Sequence, residues 1–293
     1  MKFALKSIVV AAAFVAAGAA SAVTVTPGQT FMGLTASGSG QLSFGSELIV
    51  ALDTAKMNMV ETAPAVGQIS KDADGYYIQA AVAAPITALT IDDLSHDVVA
   101  ASTAGGANLS ANYLKGVTIG GNLTVDNLRI DLTSRRVYAD MTSNAYTTSG
   151  NTGAVNASQP ANGAHGPNAL NAAGATKLTN VYLWDVMGKA QYDADMAFLG
   201  YDSSTAIVGT THISGAGTYV NELNGLKITA EGLTAFTKGF GLLKTGQDAL
   251  KGVNDFGTIT STIVATAVPE PTTYALMGLG LVGLSLVARR KAK

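Results

Sequence analysis

An alternation of apolar and polar residues over positions 116–132 places the strongest constraint on how this chain folds. A period of two is typical of a β-strand that buries one face, because successive side chains point to opposite sides. The alternation changes phase at Asp126-Asn127, which predicts a β-bulge. Thr133–Arg136 predicts a turn, and Val137–Met141 predicts the returning strand of an antiparallel hairpin.

The same period recurs along the chain, so the fold is predicted to be mainly β, an antiparallel β-sandwich-like domain. Residues 76–91 predict two strand segments, interrupted where Pro85 lacks an N–H for the ladder and so marks an edge or a bulge. Further strands are expected over Val181–Val186, Ala206–Ile213 and Thr258–Thr266.

One or two short helices are expected beside the strands. The segment that begins at Thr229 starts with a residue type that caps helices, and it places Leu233, Phe236 and Phe240 at helical spacing. Residues 46–52 fit a short helix, with a strand as the alternative. Helices of this length need the sheet beside them, because short helices are marginal in water by themselves.

The beginning of the chain predicts a cleaved signal peptide. Two lysines within the first six residues are followed by an apolar, alanine-rich run that ends near Ala20. Ala20 and Ala22 form an A-x-A cleavage site before Val23. The apolar run is short and small residues stand at the cut, so cleavage is favoured over a first transmembrane helix.

The end of the chain has three unlike parts in a fixed order. The prolines keep the first part extended and accessible to another protein. The second part, Thr272–Ala288, has 17 uncharged residues and would span about 25 Å as a helix, the short end of what crosses a bilayer. It is apolar on every face, which favours a membrane helix over a buried helix of a soluble domain. The first part is Val268, Pro269, Glu270 and Pro271, and the basic last part is Arg289, Arg290, Lys291 and Lys293.

This order of a Pro-Glu-Pro triplet, a Gly/Leu-rich span and a basic end resembles the PEP-CTERM sorting signal of Gram-negative bacteria. The resemblance implies an exosortase, a membrane-embedded sorting enzyme, as a partner that processes the chain at Val268–Pro271. It also implies that the protein is anchored in the inner membrane during transit. Such proteins are then delivered to the cell surface or to the exopolysaccharide matrix of a biofilm.

Short pieces of the region between the two ends resemble an HtaA-type β-domain, which some bacterial surface proteins use in haem uptake. The matching pieces are a Leu-Arg-Ile-Asp-Leu strand, a Val-Tyr-Ala-Asp strand, Thr229–Phe236 and Gly246–Leu250. The resemblance implies a β-sandwich and names haem as a ligand to test. The ligand residues of that family have no assigned positions in this chain.

The charge of the predicted mature region excludes nucleic acid as a partner. Of 18 basic residues, six lie in the two ends, as does one of 20 acidic residues. Residues 23–268 therefore carry 12 basic and 19 acidic residues, a net charge of −7. A domain of this charge repels phosphate backbones and anionic lipid headgroups.

The motifs that carry enzyme chemistry are missing, so no catalytic residue and no cofactor are predicted. The chain has no cysteine, no G-x-S-x-G elbow, no H-E-x-x-H pair and no Walker loop. Gly278, Gly280 and Gly283 match a dinucleotide-binding pattern by letters. They lie inside the predicted membrane span, without the strand that the nucleotide motif requires.

Four weaker patterns have a structural and a functional interpretation. Asp72 and Asp74 resemble part of a calcium loop, but the closing Glu is missing and a plain Asp-Gly turn is favoured. His96-Asp97, close to two more aspartates, fits a solvated turn better than a metal or acid–base site. Trp184 is favoured as a core residue over a platform for sugar stacking. The group of Asp193, Asp195 and Asp202 offers a similarly weak cation site.

Together these features predict an exported surface or extracellular-matrix protein with a structural or interaction role, associated with exopolysaccharide. A module that binds carbohydrate or haem is the alternative, and a hydrolase is a third hypothesis. The predicted organisation is a signal peptide at 1–22, a mainly β extracytoplasmic domain at 23–268 with a flexible loop at 147–176, and a sorting and anchor segment at 269–293 whose transmembrane part is 272–288.

Overall fold

Antiparallel strands account for most of the fold. The computed structural model describes residues 22–143, 176–187, 211–268 and 276–279. Three short helices pack against the strands: α1 (Ser46–Thr54), α2 (Ala230–Phe240) and α3 (Lys244–Lys251). The strands are β1 (Ala22–Val25), β2 (Thr30–Phe31), β3 (Leu34–Phe44), β4 (Asn58–Thr62), β5 (Val66–Lys71), β6 (Tyr77–Asp92), β7 (Val98–Thr103), β8 (Gly106–Ala111), β9 (Gly121–Asp131), β10 (Arg136–Ser143), β11 (Thr176–Val186), β12 (Gly217–Leu223), β13 (Leu226–Ile228) and β14 (Gly257–Ala267).

The strands follow one path in the order β12-β14-β3-β6-β7-β9-β10-β11-β13. The other strands add to this path: β1 and β5 pair with β6, β2 pairs with β3, and β4 pairs with β8, which pairs with β9. Every strand pairing in the described residues is antiparallel. The predicted mainly β, antiparallel class is therefore confirmed.

Strand β6 changes partners at Pro85. Before this residue β6 pairs with β3 and β5, and after it with β7 and β1. Pro85 lies opposite Ser39 of β3, while the next residue, Ile86, lies opposite Thr103 of β7. The Pro85 carbonyl accepts a hydrogen bond from the Ala104 N–H at 3.1 Å. The interruption predicted at Pro85 is thus a change of partners within one continuous strand, at a residue that cannot donate to a ladder.

The bulge predicted in β9 is present. Arg129 pairs with Tyr138 of β10, but the next pair along the ladder joins Asp126 to Asp140. Two residues of β9 therefore lie opposite one residue of β10. Asn127 takes a φ of +54° at this point, a left-handed conformation that Asn adopts more readily than most residues.

A charged side chain of β10 holds the bulge in place. The Asp140 carboxylate forms an ion pair with Arg129 and accepts hydrogen bonds from the Asn127 side-chain amide at 3.2 Å and from the Asn180 N–H at 3.0 Å. Burial raises the pKa of Asp140, but Arg129 and the two amide donors together outweigh it, so the pKa lies below its ordinary value. This carboxylate connects β9, β10 and β11.

The helix predicted from Thr229 is α2. A Thr caps its start and a Gly follows its end, and both residue types are favoured at these positions. The Thr229 hydroxyl accepts a hydrogen bond from the Gly232 N–H at 3.0 Å, and Gly241 ends the helix in the left-handed conformation. Phe236 and Phe240 are buried against the sheet. Residues 46–52 lie in helix α1, so the helix predicted there is confirmed and the strand alternative is wrong. Helix α3 was not predicted, because its sequence contains few apolar residues.

The buried apolar side chains form two clusters. The larger one lies between the sheet and the three helices. The smaller one, called here the terminal cluster, joins β1 to the second half of β6 and the second half of β14. Its buried members are Val25, Ile86, Leu89, Ile91, Val98, Ala101, Ile213, Ile263 and Ala265.

Some predictions concern residues outside the described ranges. These are the signal peptide before Ala22, almost all of the loop at 147–176, and the strand at 206–213 before residue 211. No helix within the described ranges is long and apolar enough to cross a membrane. Of the predicted span at 272–288, the described part is residues 276–279, which are helical.

Replacing Asp140 with Asn should lower the free energy of unfolding at neutral pH by about 1–3 kcal/mol, the range for hydrogen bonds to a charged group. The folded pKa of Asp140 is lowered, so its stabilisation is present above the ordinary Asp pKa and is lost as the pH falls through the folded value. Urea unfolding at neutral and at acidic pH measures both effects.

The matched control for this experiment is Asp74→Asn, a change at an exposed turn. The control should leave the free energy of unfolding near that of the wild type at both pH values. The Asp140→Asn variant should lose less stability than the wild type on acidification. An equal loss in the variant and the wild type would contradict the assigned role of Asp140.

Candidate functional site

The predicted sorting segment follows the sheet without a linker. The final strand, predicted over Thr258–Thr266, is β14, and its last residue, Ala267, pairs with Leu34 of β3. The next residue, Val268, donates its N–H to the Gly33 carbonyl at 2.8 Å. The chain is therefore fixed to the domain up to the residue before the triplet. The remaining sorting residues lie outside the described ranges: Pro269, Glu270, Pro271, Arg289, Arg290, Lys291 and Lys293.

The predicted signal-cleavage site lies at the same end of the domain. Ala22 and Val23 belong to β1, where Ala22 pairs with Asp92 at the end of β6, and Ala20 is outside the described residues. Val25 of β1 packs in the terminal cluster with residues from the last part of β14. The two predicted targeting segments are thus attached to β1 and β14 at one end of the domain.

Two neighbouring strands present a row of hydroxyl groups on their outer face. On β14, the half-buried or exposed residues of this face are Thr258, Thr260, Thr262, Val264 and Thr266, whereas Ile259, Ile263 and Ala265 point inward and are buried. The residues of β3 directly opposite them are, in the same order, Ser43, Gln41, Ser39, Ser37 and Thr35. Residues opposite each other in an antiparallel pair share one face. This hydroxyl face comprises Thr258, Thr260, Thr262, Thr266, Thr35, Ser37, Ser39 and Ser43.

An apolar cavity of about 110 Å³ lies between the inner face of the sheet and the three helices. The strands contribute residues such as Ala84 and Val125, and each helix contributes large apolar side chains, among them Leu52, Phe236 and Leu250. Its position follows from the fold, because the inner faces of β3, β6, β8 and β9 meet α1, α2 and α3 there.

The lining of this cavity restricts its chemistry. Among the described lining residues there is no Asp, Glu, His or Tyr, and Met57 is the one side chain of a type that ligates haem iron. The carboxylate pair that a hydrolase needs is therefore not brought together in this cavity. The haem hypothesis gains no ligand pair from it either.

Trp184 lies in the core, as its apolar neighbours predicted, and it also lines the cavity. Its side chain is 3% exposed, and within the described part of the chain its Nε1 has no hydrogen-bond partner. The adjacent Asp185 accepts a hydrogen bond from the Tyr182 hydroxyl, and burial together with this carboxylate raises the pKa of Tyr182 to about 12. Trp184 therefore belongs to the core, whereas the adjacent Asp185 lies at the surface.

Asp72 forms the turn that the sequence favoured. Its carboxylate accepts hydrogen bonds from the Asp74 N–H at 3.0 Å and the Tyr76 N–H at 2.9 Å. No group of three or more His, Asp or Glu side chains suited to a metal ion occurs among the described residues. The Asp72 carboxylate thus has a structural function in the turn, to which Asp74 contributes only its N–H. The other weak cation group, Asp193, Asp195 and Asp202, lies outside the described ranges.

Two histidines that are far apart in sequence meet in the structure. The rings of His96 and His212 stack with their centroids 6.1 Å apart, and His212 Nδ1 lies 3.3 Å from an Asp97 oxygen. A β-bridge between Asp97 and His212 brings them together. Sequence spacing gave no sign of this pair, because a single bridge far along the chain creates it. The Asp92 carboxylate accepts hydrogen bonds from the Leu94 and Ser95 N–H groups. The solvated turn that the sequence predicted before His96-Asp97 is therefore present.

The comparisons with known proteins agree with this picture of the chain's end. Residues 267–291 match the family model described as the PEP-CTERM protein-sorting motif. The motif implies an exported protein that passes through a membrane-anchored stage and is processed by an exosortase. No curated protein matches the chain.

Among solved structures, the chain is similar to the heme-binding protein HtaB from Corynebacterium glutamicum. The TM-score is 0.36 and the sequence identity 10%, over 84% of this chain and 98% of that one. The resemblance to an HtaA-type domain is thus present as a weak structural similarity. A similarity of this size does not transfer a ligand.

Trp184 is the one tryptophan of the chain, so its fluorescence reports on the core alone. Because the indole is buried, its emission should be blue-shifted and acrylamide should quench it weakly in the folded protein. Unfolding in urea should shift the emission to the red and increase the quenching. Quenching of the folded protein as strong as that of the unfolded chain would contradict the buried position.

Proposed function

We propose that this protein is held in the inner membrane during transit, is cut by an exosortase at the Pro-Glu-Pro triplet, and is then displayed on the cell surface or in the extracellular matrix. Its role there is structural or interactive rather than enzymatic, and its partner is an exopolysaccharide. The observation that carries the proposal is the sorting motif at 267–291, which starts where β14 ends.

The position of β14 supports its use as the attachment strand. It lies between β3 and β12 and pairs with both, so it is not an edge strand. All 11 of its residues pair with β3, from Gly257 opposite Phe44 to Ala267 opposite Leu34. Force applied through the anchor would load many ladder hydrogen bonds at once, because the strand is held on both sides. The domain would thus stay folded while its tail is held in a membrane.

The positions of the start of β1 and the end of β14 support an orientation in which this end of the domain faces the membrane. Ala22 at the start of β1 and Ala267 at the end of β14 both lie at the end that the terminal cluster fills. With this end at the membrane, the three helices at the other end face outward. A protein that an exosortase releases needs its cleavage region near the membrane, and this orientation places it there.

The hydroxyl face supports a polysaccharide partner. Its Thr and Ser side chains can donate and accept hydrogen bonds, and they carry no charge. A sugar chain offers hydroxyl groups at a regular spacing, and an extended strand offers side chains on one face about 7 Å apart. Because residues 23–268 carry a net charge of −7, a neutral polysaccharide fits better than a strongly anionic one.

Replacing both Pro269 and Pro271 with Ala should stop processing, because the extended, accessible triplet is lost. The experiment is run in a host that contains the cognate exosortase, and the protein is followed by immunoblot of the membrane and extracellular fractions. We expect the variant to accumulate uncut in the membrane fraction. The matched control is Pro27→Ala in an exposed turn, which should be released like the wild type. Normal release of the double variant would refute the proposed processing.

Replacing Thr260 and Thr262 with Val should weaken binding to the exopolysaccharide of the producing cells. Two hydroxyls at about 1 kcal/mol each correspond to roughly a thirtyfold loss of affinity, while the β-branched shape is kept. Co-sedimentation with the purified polysaccharide measures the loss. Thr142→Val on β10 is the matched control and should bind like the wild type. Unchanged binding by the double variant would remove the hydroxyl face from the proposal and leave the sorting experiment unaffected.

A further inference from the structure

Three exposed apolar side chains lie at the end of the domain where β14 stops. Leu94, in the turn between β6 and β7, is 79% exposed, and Met32, in the turn between β2 and β3, is 53% exposed. A group of exposed apolar side chains at one place marks an interaction site, because its hydration is unfavourable. This group is called here the apolar rim and consists of Met32, Leu94 and Val268.

The two turns that carry the rim contact each other. The Asp92 carboxylate fixes the turn of Leu94, because it accepts hydrogen bonds from the Leu94 N–H at 2.9 Å and the Ser95 N–H at 2.8 Å. In the same turn, the ring of His96 meets the ring of Phe31 in an edge-to-face contact, with their centroids 6.0 Å apart. Phe31 is the last residue of β2, so this contact joins the turn between β6 and β7 to the turn between β2 and β3.

The turn between β2 and β3 favours a residue other than Met. Phe31 pairs with Leu34, and the two residues between them, Met32 and Gly33, both have a positive φ. Two positive φ values are typical of a type I′ turn, in which Asn-Gly is the preferred pair. A long side chain rarely adopts this left-handed conformation. Since the Met32 side chain is also exposed, neither the turn nor the core accounts for Met at this position.

The third rim residue connects the rim to the sorting segment. The Val268 N–H donates to the Gly33 carbonyl at 2.8 Å, beside Met32. The predicted span starts at Thr272, four residues after Val268. Four residues reach at most about 14 Å when fully extended. The headgroup layer of a bilayer is about 5–8 Å thick on each side, so the anchored domain cannot move far from it. A tether this short gives the rim a high effective concentration at the membrane.

We propose that, in the membrane-anchored stage of the proposed function on which this inference rests, the apolar rim docks on the surface of the bilayer. Its three side chains enter the boundary between headgroups and acyl chains, as the apolar face of an interfacial helix does. Docking holds the domain upright on its short tether and fixes the Pro-Glu-Pro triplet at the membrane surface.

The charge of this end of the domain favours a zwitterionic lipid surface. The segments 22–37, 92–98, 211–219 and 261–268 build this end and contain no Lys or Arg. They contain three Asp, which outnumber the one amino group that signal cleavage before Val23 would add. An anionic surface attracts basic segments and repels acidic ones. The apolar side chains, and not the charges, therefore provide the attraction.

The chain has no cysteine, so a single introduced cysteine can carry a fluorescent label that reports its depth. The full chain with Leu94→Cys, labelled with NBD, is reconstituted into phosphatidylcholine vesicles that contain lipid with a doxyl quencher near the headgroup. We expect blue-shifted emission that the doxyl lipid quenches. The matched control is Ile78→Cys, an exposed apolar position near the opposite end of β6, which should remain unquenched.

A substitution that suits the turn tests whether the rim residues act together. Met32→Asn gives the turn its preferred residue and removes the apolar side chain, so the domain should stay folded. With the label at position 94, it should lower the ratio of docked to undocked domain roughly tenfold, the effect of one buried apolar side chain. Val66→Asn on β5 removes another exposed apolar side chain and should leave the quenching unchanged. Replacing part of the phosphatidylcholine with phosphatidylglycerol should weaken the quenching.

Flotation of the vesicles separates docking of the rim from anchoring of the chain. A chain that does not float with the vesicles would refute the membrane-anchored stage, and the rim with it. In a chain that floats, an unquenched label at position 94 would overturn the docking and leave the sorting proposal standing. Quenching that Met32→Asn leaves unchanged, or that rises with phosphatidylglycerol, would also overturn it.

Discussion

The rest of the structure depends on one strand that belongs to two parts of the sheet. Strand β6 runs for 16 residues, pairs with β3 and β5 in its first half, and pairs with β7 and β1 in its second half. Its inward residues contribute to both apolar clusters, with Val82 in the larger one and Leu89 in the terminal cluster. Pro85 marks the change, because a residue without an N–H suits the point where one ladder ends and the next begins.

This arrangement gives the domain two ends with different structures. At one end the terminal cluster joins β1 and the last part of β14, the two strands next to the predicted targeting segments. At the other end the first half of β6 and the three helices enclose the apolar cavity. The predicted sorting segment and the cavity are both connected to β14, at opposite ends of that strand.

Local features were predictable because they depend on neighbouring residues. The phase change at Asp126-Asn127 gave the bulge, and the residue types around Thr229 gave the cap of α2. Contacts between distant residues were not predictable in this way. The stacking of His96 on His212 depends on one bridge, and the hydroxyl face depends on the register between β14 and β3. A register shift of one residue would reverse which side chains face outward, and no local pattern specifies the pairing of strands so far apart.

The sequence by itself determined the β-rich class and the acidic character of residues 23–268, and it predicted a targeting segment at each end, because composition and local periodicity encode these properties. It also determined that Trp184 belongs in the core. The tertiary structure decided that the core beside Trp184 contains an apolar cavity. It also decided that the start of β1 and the end of β14 lie at one end of the domain. These properties depend on how strands and helices from the whole chain meet, and packing between distant residues exists only in the folded protein.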